Sequence, residues 1–156
     1  MSIDYRPATI ADAAAMDALN RKILPENYDL SEWETVLRYS QGASFVAYAD
    51  DILVGYVLTL VRSHEHSGPK SATIASIAVD KSYRRQGIAK DLITKCLDAL
   101  SSRDVSTVNL NVRISNVAAQ TLYHKLGFHK FNLIPQYYAD NEDSYCMTKT
   151  ITKQHT

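Results

Sequence analysis

The stretch from Thr73 to Leu100, TIASIAVDKSYRRQGIAKDLITKCLDAL, decides the fold of this chain. Its first seven residues, up to Val79, are rich in β-branched side chains and predict a buried strand. Charged and polar residues follow up to Gln86 and predict a loop. Beyond this loop the apolar residues recur at the spacing of one helix face, at Ile88, Leu92, Cys96 and Leu100. The stretch therefore predicts a strand, a loop and a helix in direct succession.

The patterns on either side of this unit complete a mixed α/β domain. A strand over 3–7 leads into a helix that begins at the capping-box-like Thr9-x-x-Asp12 and ends at Pro25. A second helix is predicted to begin at Ser31-x-x-Glu34, and a hairpin of strands over 45–48 and 52–61 follows. A polar loop over 63–70 precedes the central unit, and the later elements are a strand over 105–112, a helix over 115–126 and strands over 128–133 and 143–151. We expect a sheet of about seven strands with about four helices.

Composition excludes several classes of protein. Lys and Arg total 17 and Asp and Glu total 17, a net charge of zero that argues against a polybasic nucleic-acid binder. The longest apolar run, residues 52–61, is shorter than the about 20 residues that cross a bilayer. The first residues carry charges where a signal peptide is apolar, and the two cysteines suggest no disulfide framework. We therefore expect a cytoplasmic protein without membrane or direct nucleic-acid binding.

The loop before the predicted central helix has the chemistry of a phosphate site. A helix N-terminus offers unpaired N–H groups and the positive end of the helix dipole. Gly87 would let the backbone approach a ligand closely, Ala89 is small, and Arg84 and Arg85 add positive charge. The sequence contains neither a Walker loop nor the Gly-x-Gly-x-x-Gly fingerprint, so ATP and NAD are not favoured. By itself, the segment could also be an ordinary charged loop before a surface helix.

A second segment, Asn116-x-x-Ala119-x-x-Leu122-Tyr123-x-x-x-Gly127-Phe128, gives the first one a context. Together with Arg84-x-x-Gly87-x-Ala89, it resembles the acetyl-CoA motifs of the GNAT acetyltransferase superfamily. The resemblance implies one α/β (α+β) GNAT-type domain over residues 1–151, with a mixed, mostly antiparallel sheet and a short tail over 152–156. It implies acetyl-CoA as co-substrate and no metal. The residues it places against CoA are Ile77, Ala78, Val79, Arg84, Arg85, Gln86, Gly87, Ile88, Ala89, Asn116 and Tyr123.

Three further stretches narrow the resemblance, namely Leu24-Pro25-Glu26-Asn27-Tyr28, Asn111-Val112-Arg113-x-Ser115-Asn116 and Tyr137-Tyr138-Ala139-Asp140-x-Glu142-Asp143-x-Tyr145. They resemble the catalytic subunits of N-terminal acetyltransferase A (NatA) complexes and their archaeal relatives. The resemblance implies direct transfer of acetyl to the α-amine of proteins or nascent chains. It makes Glu26 the leading general base, acting through water, with Tyr138 assisting and Arg113 orienting Glu26 or the loops. It places Leu24, Pro25, Tyr28 and Tyr137 around the first side chain of the substrate.

Several alternatives stay open on the sequence. The Leu-Pro pair and the tyrosines could be packed loop residues, and Glu26 could cap a helix. Many superfamily members carry a Glu on the strand before the phosphate loop, and related enzymes often carry a His near its start, but residues 71–76 contain neither. The acceptor could be a ribosomal-protein alanine, a lysine or a small amine, and the chain could be a non-catalytic CoA-binding subunit. Relatives often work with a large auxiliary subunit, so such a partner and ribosome association are further expectations.

One short segment contains potential metal ligands, and two others carry charges of a single sign. His64-Glu65-His66 lacks a third ligand at recognisable spacing, so a solvated loop is expected there rather than a metal site. Residues 81–90 carry only basic charges and residues 136–145 only acidic ones. We therefore interpret the zero net charge as two opposed patches, one suited to CoA phosphates and one to a cationic chain end.

Overall fold

The computed structural model describes residues 2–62 and 70–151. Residues 63–69 of the loop expected over 63–70, with His64-Glu65-His66, and the expected tail over 152–156 lie outside the described residues. Lys70 was predicted to be in that loop but is the first residue of a strand. Within them, no helix is long and apolar enough to span a membrane.

The strands form one seven-stranded sheet, ordered β1-β2-β3-β4-β5-β7-β6. Every neighbouring pair is antiparallel except β4 and β5, which are parallel because the helix of the central unit connects them as a crossover. The mixed, mostly antiparallel sheet confirms the predicted fold class. The strands are β1 (Asp4–Pro7), β2 (Phe45–Ala49), β3 (Ile52–Arg62), β4 (Lys70–Val79), β5 (Val105–Arg113), β6 (His129–Ile134) and β7 (Ser144–Thr150).

Among the described residues, four α-helices accompany the sheet, as predicted: α1 (Ala13–Ile23), α2 (Leu30–Arg38), α3 (Ile88–Ser101) and α4 (Val117–Lys125). The Thr9–Asp12 capping box is present, but it begins a short 3-10 turn over Ile10–Asp12 that precedes α1. The prediction that Ser31 and Glu34 begin α2 was wrong. Asp29 is the N-cap, and Glu32 completes the capping box with it. The sequence has the capping-box spacing twice, as Asp29-x-x-Glu32 and as Ser31-x-x-Glu34, and the helix begins at the earlier one.

Side chains on the strands alternate between two apolar clusters, one on each face of the sheet. The cluster with the buried residues of α3 also contains Ala47 and Val54, and the cluster with α1 and α2 contains Val46 and Tyr56. On the α3 face, a Cβ on Gly55 would approach Ile88 to 3.1 Å, so this glycine allows the close packing of α3 on β3. The sheet is therefore the middle layer between two layers of helices.

The pairing of β4 with β5 stops before the end of both strands. Its last registered pair is Ile74 with Leu110, although β4 continues to Val79 and β5 to Arg113. A bulge at Ala75 in the pairing of β3 with β4 accompanies this change. Both strands therefore present unpaired backbone to the gap between them, and this gap is where a site can form.

Candidate active site

A cavity of about 460 Å³ occupies the gap between the ends of β4 and β5. The loop between α1 and α2 closes one side through Leu24, Glu26 and Tyr28, and the loop before β7 closes the other through Tyr137, Tyr138 and Ala139. Asn116, the N-cap of α4, and Tyr123, in its last turn, also line the cavity. Residues from three distant stretches of the sequence thus meet at one opening.

The predicted phosphate loop forms a second cavity, of about 380 Å³, at the N-terminus of α3. Gly87 is the N-cap of this helix, with φ +78°, and apart from its chain neighbours no described residue has an atom within 4 Å of the position of a Cβ on it. The helix N–H groups therefore face open space, as close approach of a phosphate requires. Arg85 also adopts a positive φ of 64°, an unusual conformation for a non-glycine residue that shapes the tight turn. The remaining lining residues include Val79, Arg84, Ile88 and Ala89.

Asn116 and Tyr123 have distinct positions on α4. Asn116 is the N-cap, and its Oδ1 accepts a hydrogen bond from the N–H of Ala119 at 3.2 Å. Tyr123 is buried, and this burial raises the pKa of its phenol to about 12. Tyr123 therefore remains protonated at neutral pH and can donate a hydrogen bond into the cavity.

Arg113 joins the two loops that close the main cavity. Its Nη2 donates to Oε1 of Glu26, and its Nη1 lies 2.8 Å from both Oδ2 of Asp140 and Oε1 of Glu142. We call this group of one cation and three carboxylates the Arg113 cluster. These contacts raise the pKa of Arg113, with the hydrogen bond to Glu142 as the largest cause. The cluster carries a formal charge of −2, because three ionised carboxylates surround a single guanidinium.

The pairing leaves one acceptor of Glu26 available. Among the described residues, Oε1 of Glu26 is bound by Arg113, whereas its Oε2 has no hydrogen-bond partner. Glu142 differs, because its Oε2 accepts from the backbone N–H of Ser115 at 3.0 Å. Hydrogen bonds from Ser115 and Arg113 lower the pKa of Glu142. Glu26 is thus the member of the Arg113 cluster that lines the cavity and retains a free oxygen.

The two adjacent tyrosines of the loop before β7 stack edge to face, with ring centroids 4.9 Å apart. The guanidinium of Arg113 lies 4.1 Å from the centroid of the Tyr138 ring. Desolvation raises the pKa of Tyr138. Tyr137 is 48% exposed and accepts from Nδ2 of Asn111 at 3.3 Å, so it forms the outer rim of the cavity.

The opposite wall is fixed to the sheet by Tyr28. Its hydroxyl donates to the carbonyl of Ala75 at 3.2 Å, the residue that forms the bulge in β4. The ring of Tyr28 also stacks edge to face on Trp33 of α2, with centroids 5.6 Å apart. The bulge therefore supplies the carbonyl that anchors the α1–α2 loop.

Three of the predicted site residues line neither cavity with their side chains. Pro25 is exposed on the α1–α2 loop, and Gln86 is exposed on the phosphate loop. Ala78 is buried in the cluster with α1 and α2, so only its backbone faces the gap. Every other predicted residue lies at one of the two cavities, Ile77 and Leu24 included.

Sequence reasoning missed a polar group beneath the main cavity. Ser76 lines the cavity, and its Oγ lies 2.8 Å from Oη of Tyr56. Oη of Tyr56 also accepts from Nδ2 of Asn20 at 3.1 Å. The only signal in the sequence is a polar residue at an apolar helix position, Asn20, because the three residues lie on three separate elements.

No group of three or more potential metal ligands occurs among the residues that the structure describes.

Comparisons with known proteins agree with this geometry. Residues 12–128 match the Acetyltransferase (GNAT) family. An N-alpha-acetyltransferase of Sulfurisphaera tokodaii is 36% identical over 149 residues, 91% of this chain and 89% of that protein. The N-terminal acetyltransferase A complex catalytic subunit NAA10 of Arabidopsis thaliana is 36% identical over 149 residues, 94% of this chain and 77% of that protein.

Among solved structures, Arabidopsis thaliana Naa50 in complex with the bisubstrate analogue CoA-Ac-MVNAL has a TM-score of 0.86 and 25% identity, covering 96% of this chain and 99% of that chain. The match to the family spans most of the chain, and the fold agrees with it. These findings confirm the predicted resemblance. The chain belongs to the GNAT family and is an acetyltransferase.

Proposed function

We propose that this chain transfers acetyl from acetyl-CoA to the α-amine at the N-terminus of a protein or nascent chain, by direct attack. The observation that carries the proposal is the Arg113 cluster, which gives the rim of the main cavity a formal charge of −2. A cationic chain end is attracted to such a rim. The names of the Sulfurisphaera and Arabidopsis relatives support the same acceptor.

The phosphate loop fits acetyl-CoA as the co-substrate. The open space over Gly87 and the N-terminus of α3 suit a pyrophosphate, and Arg84 and Arg85 supply positive charge. On the side facing β5, the backbone of β4 from Ile77 to Val79 is unpaired, and it leads from this loop to the main cavity. It can therefore bind the amide groups of an extended pantetheine chain.

The residues around the main cavity divide the chemistry between them. An α-amine has a pKa of about 7.7 to 8.0, so a proton must leave before or during attack. Glu26 takes up that proton through water at its free Oε2, with Tyr138 positioning the amine. As the new C–N bond forms and the C–S bond breaks, Tyr123 donates a hydrogen bond to the departing sulfur.

Assembly with other proteins is part of the proposal. The Arabidopsis relative is named as a subunit of a complex, and we infer a large auxiliary subunit and ribosome association for this chain as well. We also propose that residues 1–151 form the catalytic domain and that the protein works in the cytoplasm.

A peptide assay tests the acceptor. The chain is incubated with acetyl-CoA and peptides that carry one free α-amine and one internal lysine, with N-terminally blocked peptides as matched controls. Mass spectrometry should map the acetyl group to the α-amine and find no product from the blocked peptides. Acetylation of lysine alone, or acetyl-CoA binding without turnover, would contradict the proposal.

Glu26→Gln tests the base, and Asp140→Asn is its matched control. Both changes remove one carboxylate from Arg113, but only Glu26 lines the cavity with a free oxygen. We expect Glu26→Gln to lower kcat by about 100-fold or more, the usual range for general-base catalysis. A much smaller effect is expected for Asp140→Asn. Equal losses of kcat in the two variants would show that Glu26 contributes only its charge and is not the base.

A further inference from the structure

A chain of three polar side chains runs from the interior of the protein to the main cavity. Asn20 of α1 and Tyr56 of β3 are both fully buried, and Ser76 of β4 is the member that lines the cavity. The distances are 3.1 Å from Nδ2 of Asn20 to Oη of Tyr56 and 2.8 Å from there to Oγ of Ser76. We call these residues the Ser76 relay.

Among the described residues, the buried side chain of Asn20 makes one hydrogen bond, to Tyr56. Its Oδ1 is buried with no partner among the described residues. Turning the amide over would leave Nδ2 without a partner instead. A buried polar atom without a partner destabilises the fold, so Asn20 contributes through its bond to Tyr56.

The hydrogen bonds within the relay determine which donors and acceptors Ser76 retains for a ligand in the cavity. With Nδ2 of Asn20 donating to Tyr56, Oγ of Ser76 is the other partner of this buried hydroxyl among the described residues. The phenol proton is satisfied when Ser76 accepts it, and Ser76 then retains one lone pair and its own proton. With the amide turned over, Ser76 donates to Tyr56 and retains both lone pairs. In either arrangement Ser76 presents an acceptor to the cavity. Burial raises the pKa of Tyr56 to about 12, so the phenol keeps its proton.

Ser76 lies on the side of the cavity that the α1–α2 loop closes. The neighbouring residue, Ala75, anchors the α1–α2 loop through Tyr28, and Glu26 belongs to that loop. Among the groups that react, the amine has N–H donors and the thioester carbonyl has none. An acceptor on this side of the cavity therefore suits the amine.

We propose that Ser76 is a positioning residue that accepts a hydrogen bond from the attacking amine, and that Tyr56 and Asn20 hold its hydroxyl in place. This inference rests on the proposed function. The hydrogen bond directs the nitrogen lone pair towards the thioester, and no proton passes along the relay.

Steady-state kinetics with a peptide and acetyl-CoA test the relay. We expect Ser76→Ala and Tyr56→Phe each to lower kcat/KM for the peptide by about tenfold, with KM for acetyl-CoA unchanged. The double variant should lose no more than either single one, because both act through one hydroxyl. Ser76→Thr should restore most of the activity.

Tyr48→Phe is the matched control, because the Tyr48 hydroxyl on β2 bonds to Asp12 away from the cavity. Unchanged kinetics in Ser76→Ala, losses that multiply in the double variant, or a rise in KM for acetyl-CoA would overturn the inference. Those outcomes leave α-amine acetylation by the unaltered chain intact. Absence of that product from the unaltered chain would overturn the proposed function and the inference together.

Discussion

Arg113 is the residue on which the geometry of the acceptor side depends most. It contacts Glu26 from one loop and Asp140 and Glu142 from the other, and its side chain is only 20% exposed. Removing it leaves three carboxylates facing one another without a cation. Guanidinium is suited to this position because its fixed fork can serve several carboxylates at once, which an ammonium cannot.

We therefore expect Arg113→Ala to lower kcat/KM for the peptide by more than about tenfold, and Arg113→Lys to recover little of it. KM for acetyl-CoA should change little, because the phosphate loop lies at the other cavity. Arg38→Ala, at an exposed position on α2, is the control and should behave like the unaltered chain. Full activity of Arg113→Lys would show that only the charge matters.

At the scale of elements, the turn before α3 combines a strained backbone with an open space. Gly87 has φ +78°, where a side chain costs roughly 1 kcal/mol, and its Cβ would enter the space proposed for phosphate. Gly87→Ala should therefore weaken acetyl-CoA binding in calorimetry by about tenfold or more. Gly42→Ala has a similar φ of +80° and serves as the control, with unchanged affinity and a loss of stability at least as large, because its Cβ would lie 3.3 Å from Nη2 of Arg103. Equal affinities of the two variants for acetyl-CoA would show that the phosphates do not bind at Gly87.

The elements themselves were predictable, because each has its own local pattern. The spacing of Ile88, Leu92, Cys96 and Leu100 predicted α3 correctly, and all four are buried. The end of the β4–β5 ladder at Ile74 was not predictable, because residues 73–79 form one uninterrupted β-rich run. The Ser76 relay was hidden for the same reason, since its contacts join residues 20, 56 and 76. Local patterns specify elements, whereas these features depend on how the elements meet.

At the scale of the whole molecule, three buried acids link stability to alkaline pH. Burial raises the pKa of Cys96 to about 11 and those of Tyr56 and Tyr123 to about 12. Unfolding returns these groups to their ordinary values of about 8.5 for Cys and about 10 for Tyr. The unfolded chain therefore releases protons at a lower pH than the folded one. The stability they contribute is complete below the unfolded pKa values and is lost as pH rises towards 11 and 12.

Urea unfolding at pH 7.5, 9 and 10.5 should show a free energy of unfolding that falls with each step. Tyr56→Phe should be less stable at pH 7.5, because it breaks the relay, but its stability should fall less steeply above pH 9. Tyr39→Phe removes a tyrosine that is 60% exposed and should leave the slope unchanged. The slope is the decisive measurement: a Tyr56→Phe slope equal to that of the unaltered chain would mean that the phenol does not resist ionisation in the fold. It would also remove the reason to treat Tyr56 as a permanently protonated member of the relay.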